Sequence, residues 1–141
     1  MAVSYTATVT GFLTIEPPLK WSEIRESRFL LENQADGSRD TDVVLDLDRE
    51  EVETEEGIST IITCSMAVPC RQTFDCRNLD EDTRLFVEEM KKLGRTVQGE
   101  MVVQPRDYGD GGIWRVVVDE EGARKEMAKL QWPDGSEVQL P

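Results

Sequence analysis

One segment of helical period, in a chain whose other apolar runs alternate, restricts the fold more than any other feature. From Leu79 to Leu93 the apolar residues recur at steps of four and three, which places them along one side of a helix. Asn78 is a suitable N-cap with Glu81 three residues later, and Gly94 follows as a stop. Acidic residues in the first turn and lysines in the last turn interact favourably with the helix dipole and so stabilise a helix here. We therefore predict one long helix over this segment.

Alternation of apolar and polar residues predicts strands on both sides of this helix. The first run is rich in threonine and contains Gly11, where we expect a bulge or a close backbone approach. It is expected to end at Pro17 and Pro18, which lack a backbone N–H. A short helix is predicted over 21–28, and the even-numbered residues of 58–68 are expected on one face of a strand. The predicted strands are Tyr5–Ile15, Asp42–Glu53, Ile58–Val68, Val97–Gln104, Ile113–Val118 and Ala123–Trp132.

The order of these elements, β-α-ββ-α-βββ, predicts an α+β fold. One mostly antiparallel sheet of about six strands, with the long and the short helix packed on one face, is the natural two-layer solution. A chain of 141 residues is sufficient for one core of this kind. We expect a single domain over 1–133 and a short C-terminal tail over 134–141.

The absence of histidine excludes most familiar catalytic and metal-binding arrangements. Histidine is the commonest general acid, general base and metal ligand near neutral pH, and the chain has none. The cysteines Cys64, Cys70 and Cys76 are too widely spaced for a typical zinc site, and an odd number fits free thiols in a reducing cytoplasm. We expect a core thiol at Cys64, loop thiols at the other two, no cofactor, no metal and no enzymatic activity.

The charge balance indicates the class of partner. The chain has 29 acidic and 16 basic residues, a net charge of −13, so phosphate groups would be repelled. This argues against direct binding of nucleic acid or anionic membranes and favours a protein partner with a basic surface. No apolar stretch approaches the roughly 18 residues of a membrane span, and the start has no leader pattern. A cytoplasmic location is therefore expected.

The acidic residues concentrate between Asp40 and Glu56, where Arg49 is the one base. Within this run, the fragment Asp46–Glu50 resembles the opening of a calcium loop, but Glu51 stands at the sixth position, where the turn requires glycine. On a strand, alternate acids would form a repulsive row that a basic partner or a cation relieves. The competing interpretation is a solvated edge that prevents sheet-to-sheet aggregation. The candidate partner-binding acids are Asp42, Asp46, Asp48, Glu50, Glu53, Glu55 and Glu56.

Two aromatic residues complete the candidate partner-binding set. Tyr108 begins the glycine-rich segment 108–112, which lacks the helix and lysine of a phosphate loop and is interpreted as a hairpin loop suited to contacts. Trp21 follows the two prolines, where it either packs over the sheet or forms part of a peptide-binding groove.

Two other classes of function stay open at this point. A pocket between helix and sheet would make the chain an enzyme or a protein that sequesters an anionic small molecule. A buried arginine pair without an acidic partner would favour that alternative, whereas exposed arginines and a solid apolar interface would count against it. Edge strands would also allow a homo-oligomer, so the oligomeric state is left open. The arginines concerned are Arg25, Arg28, Arg106, Arg115 and Arg124.

Five stretches of the sequence look familiar, namely Tyr5–Gly11, Ile15–Phe29, Val52–Gly57, Gly111–Val118 and Leu130–Pro133. They resemble a family of small acidic proteins of uncharacterised function from actinobacteria and their phages. The resemblance covers most of the chain, does not include the cysteines and implies no catalytic residues. It implies an accessory protein, acting in the host cytoplasm if phage-encoded, that binds a host or phage protein and antagonises a host process. A row of acids that mimics nucleic acid is a special case, in which salt would weaken the complex steeply.

Overall fold

The strands and helices follow the predicted order, with one short strand more. A computed structural model describes residues 6–34, 41–106 and 112–138. A 3-10 turn over Leu31–Asn33 follows the first helix. The elements are β1 (Ala7–Lys20), α1 (Trp21–Ile24), β2 (Val43–Thr54), β3 (Gly57–Pro69), β4 (Thr73–Phe74), α2 (Leu79–Lys92), β5 (Thr96–Pro105), β6 (Trp114–Asp119) and β7 (Gly122–Met127).

All the strands belong to one antiparallel sheet. Its order is β2-β3-β1-β5-β6-β7, and β4 pairs with β1 beside this path. The predicted α+β fold with a mostly antiparallel sheet is thus confirmed. Only β4 was not predicted, because two residues are too few to display a period.

The core lies between one face of the sheet and the helices. Ile24 of α1 and Phe86 and Met90 of α2 belong to one buried apolar cluster with the inward residues of the central strands. The ring of Phe29 meets that of Phe86 edge-on, with centroids 5.1 Å apart. The apolar stripe predicted for the long helix is therefore the stripe that packs on the sheet.

The two prolines do not end β1, which is a correction to the sequence prediction. The strand continues through Pro17 and Pro18 to Lys20. Its register against β3 shifts between Thr14 and Leu19, so the prolines lie in an irregular stretch of the ladder. A residue without an N–H is tolerated where no ladder hydrogen bond is required of it.

A bulge in β3 corrects the predicted face of 58–68. Ser65 is an extra residue in the register against β2, so the alternation reverses there. Cys64 and Ala67 both point into the core, whereas Met66 is half-buried on the other face. Periodicity in one strand does not reveal such a bulge, because the extra residue is defined only by the neighbouring strand.

The predicted helix ends are partly correct. The long helix ends with Leu93 as C-cap and Gly94 at a φ of 73°, as expected for a glycine stop. The Asn78 side chain makes no capping hydrogen bond, contrary to the prediction. The short helix is one turn long and stops at Ile24.

Within the described residues, the chain after β7 forms a small turn. The last strand ends at Met127, earlier than predicted. Beyond it, Gln131 and Glu137 form an isolated antiparallel bridge, and the Trp132 N–H donates to the Ser136 carbonyl at 2.8 Å. These contacts form a small turn around Gly135, with Trp132 58% exposed.

Candidate functional site

The far end of the β2–β3 hairpin is exposed on both of its faces. Residues 46–62, here called the acidic arm, continue beyond the part of the sheet that the helices cover. From Arg49 to Ile61 every residue is exposed except the half-buried Val52. The arm turns at residues 55–56, and the Thr54 hydroxyl donates to the Gly57 carbonyl at 2.8 Å.

Seven exposed acidic side chains and one base lie on this arm. Because side chains alternate along a strand, three acids of β2 share one face and two share the opposite face, and the last two occupy the turn. On either face the like charges are close enough to repel one another, and nothing on β3 offsets them, since its arm residues carry no charge. The acids are Asp46, Asp48, Glu50, Glu51, Glu53, Glu55 and Glu56.

Two isoleucines accompany the acids, and sequence reasoning had not selected them. Ile58 is 70% exposed and Ile61 is 47% exposed. Ile58 lies opposite Glu53 in the register, and Ile61 lies opposite Glu50. Each face of the arm therefore combines charge with an apolar contact, a mixture suited to a protein surface. The one sequence signal that could have identified these isoleucines was their position on the strand predicted to pair with the acidic strand.

One ion pair links the basic residue of the arm, Arg49, to the body of the protein. Arg49 Nη2 lies 3.0 Å from Glu32 Oε1, in the 3-10 turn. Both side chains are more than half exposed, so the pair contributes little to stability. The single base of the arm is thus directed toward the body and does not neutralise the row of acids.

Asp42 does not lie on this surface, which corrects its place in the predicted set. It is 8% exposed, and its Oδ2 accepts the Asn78 N–H at 2.9 Å. Its own N–H donates to Asp82 Oδ2 at 2.7 Å. Burial raises the pKa of both carboxyls, and each accepts a backbone hydrogen bond that limits the rise. Asp42 therefore fastens the start of β2 to α2.

Of the two aromatic candidates, the described one, Trp21, does not lie on the arm. Trp21 is half-buried and packs against the core cluster, as in the packing alternative of the sequence analysis. Tyr108 lies outside the described residues. The candidate surface is accordingly formed by the acids and isoleucines of the hairpin.

The described arginines do not form a buried, unpaired anion site between helix and sheet, although Arg124 lines a small cleft of about 150 Å³ between α2 and β7. Arg25, Arg28 and Arg106 are exposed. Arg115 is paired with Glu100 and Glu126 at 2.8 Å each, and it lines a shallow cleft of about 370 Å³ on the open side of the sheet. Arg124 is paired with Asp119 at 2.8 Å. Since none of these is a buried arginine lacking an acid, the observation that would favour a pocket is missing from the described chain.

Cys64 and Cys76 are unsuited to nucleophilic chemistry. Cys64 and Cys76 are buried, and Cys70 is half-buried. Burial raises the pKa of the Cys76 thiol to about 12, and burial also raises the pKa of Cys64. The core position of Cys64 is confirmed. Cys76 lies in the loop between β4 and α2, as predicted, but its side chain is buried in the core cluster. Across 6–34, 41–106 and 112–138, no three side chains of the metal-ligating types converge on one point.

The comparisons with known proteins identify the family and no activity. Among the described helices, none has the length and apolar character needed to cross a membrane. Neither a curated protein nor a solved structure matches the chain. A family model matches residues 3–141, nearly the whole sequence. The chain therefore belongs to DUF6205, a family of unknown function.

Proposed function

We propose that this protein is a non-enzymatic binding protein whose acidic arm contacts a basic surface of a partner protein. One observation carries the proposal: the arm is exposed on both faces and presents seven acids beside two exposed isoleucines. Charges alone would keep a protein soluble, but apolar side chains exposed among them give a partner area to bury.

The polarity of the arm favours a protein partner over a nucleic acid. Phosphates would meet seven carboxylates and one arginine that is already paired with Glu32. A partner surface rich in lysine and arginine relieves the repulsion along the arm. Where the partner is itself a nucleic-acid-binding protein, the row of acids would occupy the place of phosphates.

The biological setting of the proposal comes from the resemblance to actinobacterial and actinophage proteins. We propose an accessory protein of the host cytoplasm that antagonises a host process by occupying a basic surface of a host protein. The two carboxyl groups whose pKa is raised, those of Asp42 and Asp82, support a binding role over a catalytic one. Asp42 and Asp82 are buried and are bonded to backbone amides, so they hold the fold together instead of facing a cleft.

The test is affinity capture from an actinobacterial lysate at about 50 mM and about 1 M NaCl, read by mass spectrometry. The wild type is compared with Glu50→Gln/Glu51→Gln/Glu53→Gln and with the control Glu88→Gln/Glu120→Gln/Glu137→Gln. The control removes the same charge from exposed positions elsewhere. We expect the wild type and the control to capture the same partner at low salt. The wild type should lose this partner at high salt, and the arm variant should fail to capture it.

The proposal would be contradicted by a partner that stays bound to the wild type at high salt and also binds the arm variant. Capture lost equally from the arm variant and the control would show that net charge alone is responsible, which also contradicts a role for the arm.

A further inference from the structure

The outer edge of β2 is an open strand edge along the acidic arm. β2 is the first strand of the sheet order, and among the described strands it pairs with β3 alone. Near its start the edge is used by the protein itself, because the Leu45 N–H donates to the Phe29 carbonyl at 2.9 Å. Beyond Leu45, within the described chain, no hydrogen bond reaches the outer edge of β2.

The contact at Leu45 defines which backbone groups face outward. In an antiparallel strand, successive residues direct their N–H and C=O groups to opposite neighbours. Since Leu45 bonds away from β3, alternation directs the backbone groups of Leu47, Arg49, Glu51 and Glu53 away from β3 as well. The turn agrees, because Thr54 and Gly57 enclose a two-residue turn, and the two residues that close such a turn are hydrogen-bonded to each other, so the backbone groups of Thr54 face β3.

We propose that residues 47–53 of β2 accept an extended, lysine- and arginine-rich segment of the partner protein as an additional strand of the sheet. The proposal rests on the proposed function and specifies how the partner binds. Strand addition supplies main-chain hydrogen bonds, and the flanking side chains select the sequence that is added.

The side chains beside this edge determine the chemistry of the added strand. Asp48 and Glu50 flank it on one face, and Glu51 and Glu53 flank it on the other. An added strand with basic residues would place opposite charges in neighbouring cross-strand positions on both faces. The same edge of a second copy would bring like charges together, so the charge pattern favours a basic partner over self-association.

The probe is a synthetic peptide of about twelve residues that alternates lysine with threonine or valine. A second peptide of the same sequence is N-methylated at alternate residues, which removes the donors of one edge and leaves the charge unchanged. Binding to the full chain is measured by fluorescence anisotropy. Amide exchange is followed residue by residue with NMR.

A pair of variants separates the backbone from the charge. Glu51→Pro and Glu51→Gln both remove the carboxylate, but only the proline removes an outward N–H, at a site where an edge strand tolerates it. We expect Glu51→Pro to bind the peptide about fivefold to tenfold more weakly than Glu51→Gln, the equivalent of one lost hydrogen bond. The N-methylated peptide is expected to bind the wild type more weakly than its parent. On binding the parent peptide, the amides of Arg49, Glu51 and Glu53 should become protected.

Three results would overturn strand addition. Equal binding by Glu51→Pro and Glu51→Gln, with equal affinity for the two peptides, would leave the acidic arm as a charged surface and the proposed function intact. Peptide-free dimers that protect the same amides would assign the edge to a second copy. If the peptide does not bind at low salt, strand addition is rejected. The proposed function of the acidic arm is then tested separately by the lysate capture described above. If Glu51→Pro does not fold, the comparison of the two peptides on the wild type decides.

Discussion

At the scale of single residues, the buried pair of Asp42 and Asp82 is the feature least expected from the sequence. Asp42 belonged to an acidic run in which every member was assigned to the surface. Its burial depends on α2, which begins some 36 residues later with the Asn78 N–H that Asp42 accepts. Asp82 reaches back to the Asp42 N–H in the same way. No local pattern encodes a contact of this sequence separation.

The pair has a consequence for the pH dependence of stability. Burial raises the pKa of both carboxyls, and the charge of Asp82 adds to the rise at Asp42, so the folded chain binds protons more tightly than the unfolded chain. Their contribution to the free energy of unfolding is therefore full below the ordinary carboxyl range and is lost as the pH rises through the folded-state values. Asp82→Asn removes one of these charges and keeps an oxygen that can accept the Asp42 N–H. We expect its free energy of unfolding to fall less than that of the wild type between about pH 4 and pH 7.

Urea unfolding at several pH values measures this difference. The control is Glu88→Gln, which removes a charge from the exposed side of the same helix and should follow the wild-type pH slope. Parallel slopes for Asp82→Asn and the wild type would contradict the linkage argument.

At the scale of elements, two glycines allow β1 and β5 to lie against each other. Gly11 and Gly99 have φ values of 107° and 140°. A Cβ on Gly11 would collide with the Glu100 carbonyl oxygen, and one on Gly99 would collide with the Phe12 carbonyl oxygen. The close approach predicted at Gly11 is thus confirmed.

Gly11→Ala is therefore expected to lower the free energy of unfolding by about 2–3 kcal/mol, from backbone strain together with the collision. Gly94→Ala is the matched control. Gly94 also has a positive φ, but a Cβ there meets no atom within 4 Å, so about 1 kcal/mol is expected. Chemical denaturation of both variants checks the difference. Equal losses would mean that the contact between the strands does not matter.

The elements also divide into those that the sequence specifies locally and those that it does not. The long helix was predicted to within a residue because apolar spacing, dipole-compatible charges and Gly94 all agree. The prolines of β1, the bulge at Ser65 and the two residues of β4 depend on the neighbouring strand, so no period within one strand predicts them. The arm was predicted as an acidic hairpin. Its exposure on both faces follows from where the helices end, which only the assembled fold determines.

At the scale of the whole molecule, charge is distributed unevenly. The acidic arm holds seven of the 29 acidic residues and one of the 16 bases. On the body of the protein, several arginines are paired with acids, as in the pair of Arg95 Nη2 and Glu23 Oε1 at 2.6 Å. The net charge of −13 acts against the compact state by self-repulsion, and salt screens that repulsion. We therefore expect the arm to add charge to the molecule without stabilising its fold.

The arm variant Glu50→Gln/Glu51→Gln/Glu53→Gln tests this separation of binding from folding. Removing three repelling charges that have no described basic partner should leave the free energy of unfolding within about 0.5 kcal/mol of the wild type, or raise it. Its stability should also rise less steeply with NaCl, because less repulsion remains to be screened. Glu23→Gln, which removes the partner of the half-buried Arg95, should instead lower stability.

Thermal unfolding at low and high salt measures all three proteins. A clear loss of stability in the arm variant would show that these acids support the fold, and the loss of partner binding in that variant would then have a structural cause.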